Sequence, residues 1–335
     1  MVFQVKIFFF VALLLLAITA FFVLDSDFLS ESFVIFNTPK DLVKKEPQQI
    51  RFLAVGDIML DRGVEYMVNK YGEGDFKFPF LKIASLLSQA DLVFGNLESV
   101  ISDKGYNVGS AYSFRANPKA IDGLKFAGFD IVNLAHNHAF DYTTLALQDT
   151  MALLATSGID FVGAGASDKR AFGIVVKETK ETKIGFLGFA NVGPRAWRAQ
   201  NNTTGIAWVE KADFLFLSEA VKQVKAQVDI LVVSLHAGVE YSKTPDAFQQ
   251  EFAKLCIDSG ADLILGHHPH VIQPLEKYNN GWVAYSLGNF IFDQAFSKET
   301  MQGGLLEVFI ENKKIKTVQL KQVKLNNFYQ PQLID

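Results

Sequence analysis

The chain has 335 residues, 49% of them hydrophobic and 20% charged, with a formal net charge of -4. That is enough apolar material for one or two well-buried domains, and it lacks the basic excess that nucleic-acid binding needs, so no nucleic-acid partner is expected. The single cysteine, Cys256, excludes an intrachain disulfide and a cysteine-built zinc site.

Residues 7–24, IFFFVALLLLAITAFFVL, carry no charge. As a helix this run would reach about 27 Å, close to the hydrocarbon thickness of a bilayer. Lys6 precedes it, and Asp25, Asp27 and Glu31 follow. That asymmetry predicts a single-pass anchor over residues 1–24, with the N-terminus in the cytoplasm and the body outside it. A clean small-x-small cleavage pair is missing, which favours an uncleaved anchor over a removed signal peptide. Residues 25–49, with NTPKD and KKEPQQ, read as a linker that stands the body off the membrane.

From residue 50 the pattern alternates between strand and helix. Residues 50–57, IRFLAVGD, read as a strand ending in a carboxylate, and 61–72 as a helix. A helix over 78–89 leads into a strand over 90–96. Residues 117–128 read as a helix with Asn117 as its N-cap and Pro118 at its first position. A strand over 129–135 precedes a helix over 143–158, closed by a glycine. The strand at 159–165 runs into GAGAS, which lacks the full dinucleotide-binding fingerprint and reads as a loop. A hairpin follows over 172–190. Helices at 211–227 and 245–260 each precede an apolar strand, 228–236 and 261–268. Two more hairpins, over 270–292 and 303–323, turn at NNG and ENKK. The body is therefore expected over 50–325, with 326–335 as a C-terminal tail. Parallel units followed by hairpins predict an α/β class with two packed sheets flanked by helices.

The six histidines fall in three stretches only, NLAHNHAFDY, SLHAGVEY and LGHHPHVIQ. Each stretch follows an apolar, β-prone run, so the histidines sit just past strand C-termini, where open α/β sheets hold their ligands. The neighbouring loops add Asp57, Asp61, Asn96, Glu98, Asn137, Asp141 and Glu240. Any one such residue is more often a hydrogen-bonded loop side chain; it is their concentration over several loops that points to a site. Oxygen and imidazole donors without thiolate suit divalent Mn, Zn or Fe. A dinuclear centre needs about six or seven protein ligands, one of them a bridging carboxylate. On extended backbone, His268 and His270 would project to the same side. Arg62 and Arg115 are candidates to hold a substrate carboxylate or phosphate, with ordinary surface pairing as the alternative. Trp197, with Arg195 and Arg198, could wall a groove, and Gly288 would let the chain turn beneath the site.

The stretches AVGDIMLDRG, GNLES, LAHNHAFDY, HAGVEY, GHHPHVIQPLE and YSLGNFIFD, in this order over roughly residues 52–293, resemble the motifs of the bacterial capsule-synthesis CapA family, the poly-γ-glutamate synthesis proteins. That family is similar to the calcineurin-like metallophosphatases. The resemblance implies a four-layer α/β/β/α sandwich behind the N-terminal transmembrane helix, with two divalent ions at the strand ends. It implies Asp57, Glu98, Asn137, His236, His268 and His270 as metal ligands, with Glu98 bridging and Asp61 a further candidate ligand. It implies His138 and His267 as the catalytic candidates, His138 as general acid.

Three positions depart from the pattern. Met59 stands where a histidine is usual, His136 where an asparagine is, and Thr143 where a glycine is. The function implied is that of a membrane-anchored, extracytoplasmic, metal-dependent hydrolase-like protein of capsule synthesis, export or anchoring. Its partners would be a capsule or envelope polymer and a membrane-bound polymer synthase complex. The alternative is a non-catalytic assembly factor for such a synthase.

Overall fold

The computed structural model of the chain describes residues 48–334. The expected membrane segment and nearly all of the linker lie outside the described residues. Among the described residues no helix is long and apolar enough to cross a membrane.

Two sheets are built from β1 (Ile50–Ile58), β2 (Leu92–Leu97), β3 (Ile131–Asn133), β4 (Asp160–Val162), β5 (Val175–Thr179), β6 (Thr182–Ala190), β7 (Ile230–His236), β8 (Leu263–His267), β9 (Leu275–Tyr278), β10 (Gly281–Ala284), β11 (Asn289–Ile291), β12 (Gln302–Glu311), β13 (Lys314–Leu325) and β14 (Pro331–Leu333). The first sheet runs β14-β13-β12-β1-β2-β3-β4, with β11 paired to the end of β1, and the second runs β9-β10-β8-β7-β6-β5. The strands β1 to β4 are parallel to one another. So are β6, β7, β8 and β10.

Alternation along the strands explains the layering. In β1, Ile50, Phe52 and Ala54 join a core shared with Ile184, Phe186, Ile230, Val232, Leu263 and Leu265 of the second sheet. The intervening Leu53 and Val55 join a different core, against the outer helices. Both faces of the strand are thus covered, and this is why it reads as a continuous apolar run. Phe186 anchors the contact between the sheets. It meets Phe52 edge-on and Phe94 in a stack, each at 5.8 Å between ring centroids. Each buried phenylalanine contributes roughly 1.5–3 kcal/mol.

The first sheet is covered by α1 (Arg62–Tyr71), α2 (Ala120–Ala127) and α3 (Thr143–Ser157), and the second by α4 (Phe214–Lys225) and α5 (Ala247–Asp258). Helix, sheet, sheet, helix is the sandwich expected. The Asp246 and Gln249 side chains close a capping box on α5. Gly128 and Gly158 end α2 and α3 with φ of 83° and 81°.

Three local expectations change. The helix expected over 78–89 is a 3-10 turn, Phe78–Phe80, and a short helix, Ala84–Leu87. The segment packs tightly on Gly123 of α2, where a Cβ would lie 2.2 Å from the Phe76 carbonyl oxygen and 2.9 Å from the Phe80 ring. The hairpin expected over 270–292 divides. Its first part pairs β9 with β10 in the second sheet; Gly288, at φ 63°, then turns the chain so that β11 pairs with β1 in the first. The expected C-terminal tail contributes β14, an edge strand bonded to β13.

Candidate metal centre

The parity that builds the cores also builds the site. In β7, Ile230 and Val232 face the opposite sheet, so His236 does too; in β8, Leu263 and Leu265 place His267 the same way. Asn96 continues Leu92 and Phe94, and Asn133 continues Ile131. The inter-sheet core therefore turns polar at the C-terminal ends of its parallel strands.

Asp57, next to last in β1, is fully buried. Its Oδ1 accepts from Asn96 Nδ2 at 2.9 Å, and its Oδ2 accepts from the His268 backbone N–H at 3.3 Å. The Asn96 amide also pairs with His236 Nδ1 at 3.1 Å, and Asn133 Nδ2 donates to Asn96 Oδ1 at 2.8 Å. Burial works to raise the Asp57 pKa, but hydrogen bonding and attraction from His267 and His270 outweigh it and hold the carboxyl well below the usual range.

Glu98 behaves in the opposite way. It is also fully buried, neither carboxylate oxygen has a hydrogen-bond partner, and burial with repulsion from Asp57, Glu240 and Asp141 raises its pKa well above the ordinary value. Around it stand His236 Nε2 at 3.6 Å, His270 Nε2 at 3.7 Å and His138 Nε2 at 3.9 Å. Two sets of donor atoms each lie within 4.8 Å of one another: Asp57, Glu98 and His236, and Glu98, His268 and His270. Glu98 is common to both. Burial depresses the pKa of His236 well below normal and that of His268 to about 3, so both imidazoles are neutral and able to ligate. A buried carboxylate without donors, ringed by imidazoles, fits a divalent cation of borderline hardness.

Asn137 and His138 complete the ring. Asn137 Oδ1 lies 2.8 Å from His236 Nε2, and its amide nitrogen 3.2 Å from His138 Nε2. His138 Nδ1 pairs with Asp141 Oδ2 at 2.7 Å, and its ring lies 3.9 Å from that of Phe114. Asp141 also accepts the Phe114 backbone N–H at 2.9 Å.

The structure corrects several expectations. The backbone at the HPH stretch is not extended: His268 and His270 have φ of 96° and 58°. Both rings are still brought to Glu98, through a tight turn rather than strand alternation. Asp61 is not beside the carboxylate cluster. Its side chain accepts the Arg62 N–H at the start of α1 and the Arg115 N–H, each at 2.7 Å, so it is a cap that ties two loops together. Arg115 lies 4.1 Å over the Tyr142 ring and does not line the cleft above the centre, whereas Arg62 does. His267 is fully buried with its Nδ1 turned to Asp57 Oδ1 at 3.5 Å, so it does not face a substrate. Trp197 stacks on Phe140 at 5.3 Å, while Arg195 and Arg198 pair with Glu210 and Asp213. His136 is buried, with its Nδ1 accepting the His138 N–H at 3.1 Å, and burial pulls its pKa down to about 3.

Sequence reasoning did not single out Asn133, Asn289, Phe114 or Asp293. Asn289 Oδ1 pairs with His270 Nδ1 at 3.0 Å, and Asp293 pairs with Arg62 at 3.0 Å. For Asn133 and Asn289 the available signal was a polar residue in phase with an apolar strand face.

Residues 51–294 match the sequence profile of a family described as bacterial capsule synthesis protein PGA_cap. The chain is 34% identical over 263 residues to the capsule biosynthesis protein CapA of Bacillus anthracis, covering 76% of this chain and 62% of that one. It is 34% identical over 247 residues to the PGA biosynthesis protein CapA of Bacillus subtilis (strain 168), covering 73% and 63%. It thus spans just under two thirds of the length of these curated relatives. Among solved structures, a Staphylococcus aureus protein provisionally assigned as a 5'-nucleotidase, crystallised with alpha-ketoglutarate, superposes with a TM-score of 0.53 at 16% identity, covering 86% of this chain and 55% of that one. That likeness shows the fold, a metallophosphatase-like arrangement of mixed α/β sheets. With the motifs in order and the profile matched from β1 to beyond β11, the chain belongs to the bacterial capsule synthesis protein PGA_cap family.

Proposed function

We propose that this chain is a membrane-anchored, extracytoplasmic, metal-dependent hydrolase of capsule polymer synthesis, export or anchoring. In this reading it acts on a phosphoester or amide bond of a poly-γ-glutamate or related envelope polymer, beside a membrane-bound synthase complex. The observation that carries it is Glu98: a fully buried carboxylate with no hydrogen-bond partner, shared by two sets of ligand atoms. The family relationship supports the capsule assignment, and the apolar N-terminal run supports the anchor.

Asp57, Glu98, Asn137, His236, His268 and His270 would hold two divalent ions, of Mn, Zn or Fe. When bound, such ions supply Lewis acidity and make water a stronger nucleophile. The protein's own part is positional. Asn96 and the His268 N–H fix Asp57, and Asn289 fixes His270. Asp141 and Phe114 hold the His138 ring so that Nε2 is presented toward Glu98, placed to protonate a leaving group.

The test is elemental analysis of the full-length protein purified in detergent without chelators, beside Asp57→Ala and His236→Ala, followed by hydrolysis assays on phosphodiesters and poly-γ-glutamate. The expected result is about two equivalents of metal, lost in both variants. Absence of stoichiometric metal after reconstitution would overturn the reading.

A second reading, a non-catalytic assembly factor, is favoured by Met59. Its side chain is fully buried in the core and accepts the Asp61 N–H at 3.1 Å, so it adds no ligand beside Asp57. Capsule assembly that survives Asn137→Ala together with His236→Ala would support this reading; metal-dependent hydrolysis would exclude it.

A further inference from the structure

The cleft that opens onto the centre has a volume of about 160 Å³ and is walled by Arg62, Tyr112, Phe114, Tyr241 and Phe296, with His138 and His270 also lining it. Sites for nucleotide- or drug-sized ligands run to about 300–1,000 Å³. This one admits a single small unit.

Arg62 is the only Lys or Arg among the residues lining it, and it is held from two directions. Nε and Nη2 face the Asp293 carboxylate at 3.1 and 3.0 Å. The guanidinium also lies 5.1 Å from the Phe114 ring centroid and 5.9 Å from that of Tyr112. Asp293 accepts the Gly63 N–H at 2.9 Å as well, which pins the loop at Arg62, where φ is 53°. Nη1 has no protein acceptor among the described residues. Phe114 carries Arg62 as well as the His138 ring, so the cation and the proton donor are set by one aromatic side chain. At the mouth, Tyr112, Tyr241 and Phe296 are 68%, 43% and 65% exposed.

We infer that Arg62, positioned by Asp293 and Phe114, is the specificity-determining residue of the cleft and receives an oxyanion of the substrate, a carboxylate or a phosphate, through Nη1. The exposed aromatic rings at the mouth cover the apolar part of the same unit. The substrate class is then a chain or ester carrying one oxyanion per small unit. A guanidinium already locked in place loses little freedom on binding, and a fork geometry suits an oxyanion better than an ammonium does. The inference rests on the proposed function only in placing the substrate above Asp57 and Glu98.

The test is calorimetric titration of the full-length, Mn²⁺-supplemented protein with a γ-linked glutamate trimer and, separately, with inorganic phosphate. Wild type, Arg62→Ala and Arg62→Lys are compared, with metal content and circular dichroism measured on the same samples. At least one probe should bind wild type and lose about tenfold or more in affinity in Arg62→Ala, with only partial recovery in Arg62→Lys and no change in metal content. The probe that loses affinity identifies the oxyanion as carboxylate or phosphate. Affinities unchanged within about twofold in Arg62→Ala, or binding of neither probe by metal-loaded wild type, would overturn the inference. Arg62-dependent binding by protein that takes up no metal would leave it standing and overturn the metal reading instead.

Discussion

Glu98 and His236 face each other at 3.6 Å, both fully buried, and the glutamate oxygens accept no hydrogen bond. A carboxylate left so in a protein interior destabilises the fold unless a cation joins it. In metal-free protein, Glu98→Gln should therefore unfold at a temperature no lower than wild type. With Mn²⁺ at about 100 times its dissociation constant, wild type should gain about 2.7 kcal/mol, and Glu98→Gln much less. Thermal scans with chelator and with Mn²⁺ check both halves. A metal-free variant that melts well below wild type would show that the carboxylate is satisfied without metal.

Asp141 sits 2.7 Å from His138 Nδ1 and also accepts the Phe114 N–H. If the chain is the hydrolase proposed, Asp141→Asn should slow hydrolysis about 100-fold, the usual scale for a misplaced proton donor, with metal content unchanged. Combined with His138→Gln it should cost little more than His138→Gln alone, because the two act as a unit. Steady-state rates and elemental analysis on the same preparations decide it; additive losses would contradict the pairing.

Far from the centre, Glu307 of β12 meets Arg51 of β1 and Lys321 of β13, each at 2.7 Å. Burial alone would raise the Glu307 pKa, but Lys321 and Arg51 outweigh it and hold it below the ordinary value. A carboxylate depressed in the folded state adds stability above its unfolded pKa, and that stability is lost as pH falls through the folded value. Arg51→Met should therefore be less stable than wild type near pH 7, by about 1 kcal/mol or less for a partly exposed pair. The gap should narrow as pH falls from about 6 to below 4. Urea midpoints across that range measure it; a gap that widens toward acid would be inconsistent.

Gly56 precedes Asp57 where β1 passes beneath Gly288, and a Cβ there would lie 1.9 Å from the Gly288 carbonyl oxygen. Because the obstacle is backbone, Gly56→Ala should cost about 3 kcal/mol or more. It should also weaken metal binding, since the Asp57 N–H bonds to that same carbonyl at 2.9 Å. Denaturant unfolding and metal titration test the two effects; a variant within about 1 kcal/mol of wild type would mean that the crossing can spread.

The strands were legible because both faces of each central strand are buried, which leaves apolar runs with polar residues at their ends. That placed Asp57, Glu98, His236 and the final histidines at one end of the sandwich. What was not legible came from competing uses of the same residue types. Asp61 just before a helix is equally an N-cap, and the structure uses it so. Asn133 and Asn289 looked like ordinary strand-end residues until their partners, Asn96 and His270, were seen in space. The division of the 270–292 hairpin depends on a positive φ at Gly288, and apolar periodicity carries no information about a change of sheet. Likewise, the turn at His268 and His270 depends on left-handed backbone at two non-glycine residues, which the alternating pattern had placed on a strand.

The centre draws Asp57 and Glu98 from the first sheet and His236, His268 and His270 from the second. No stretch of chain therefore holds a usable set of ligands by itself, and contacts of long sequence separation form late in folding. Metal capture would then be a reporter of completed assembly: a chain in which only one of the two sheets had formed would take up no ion.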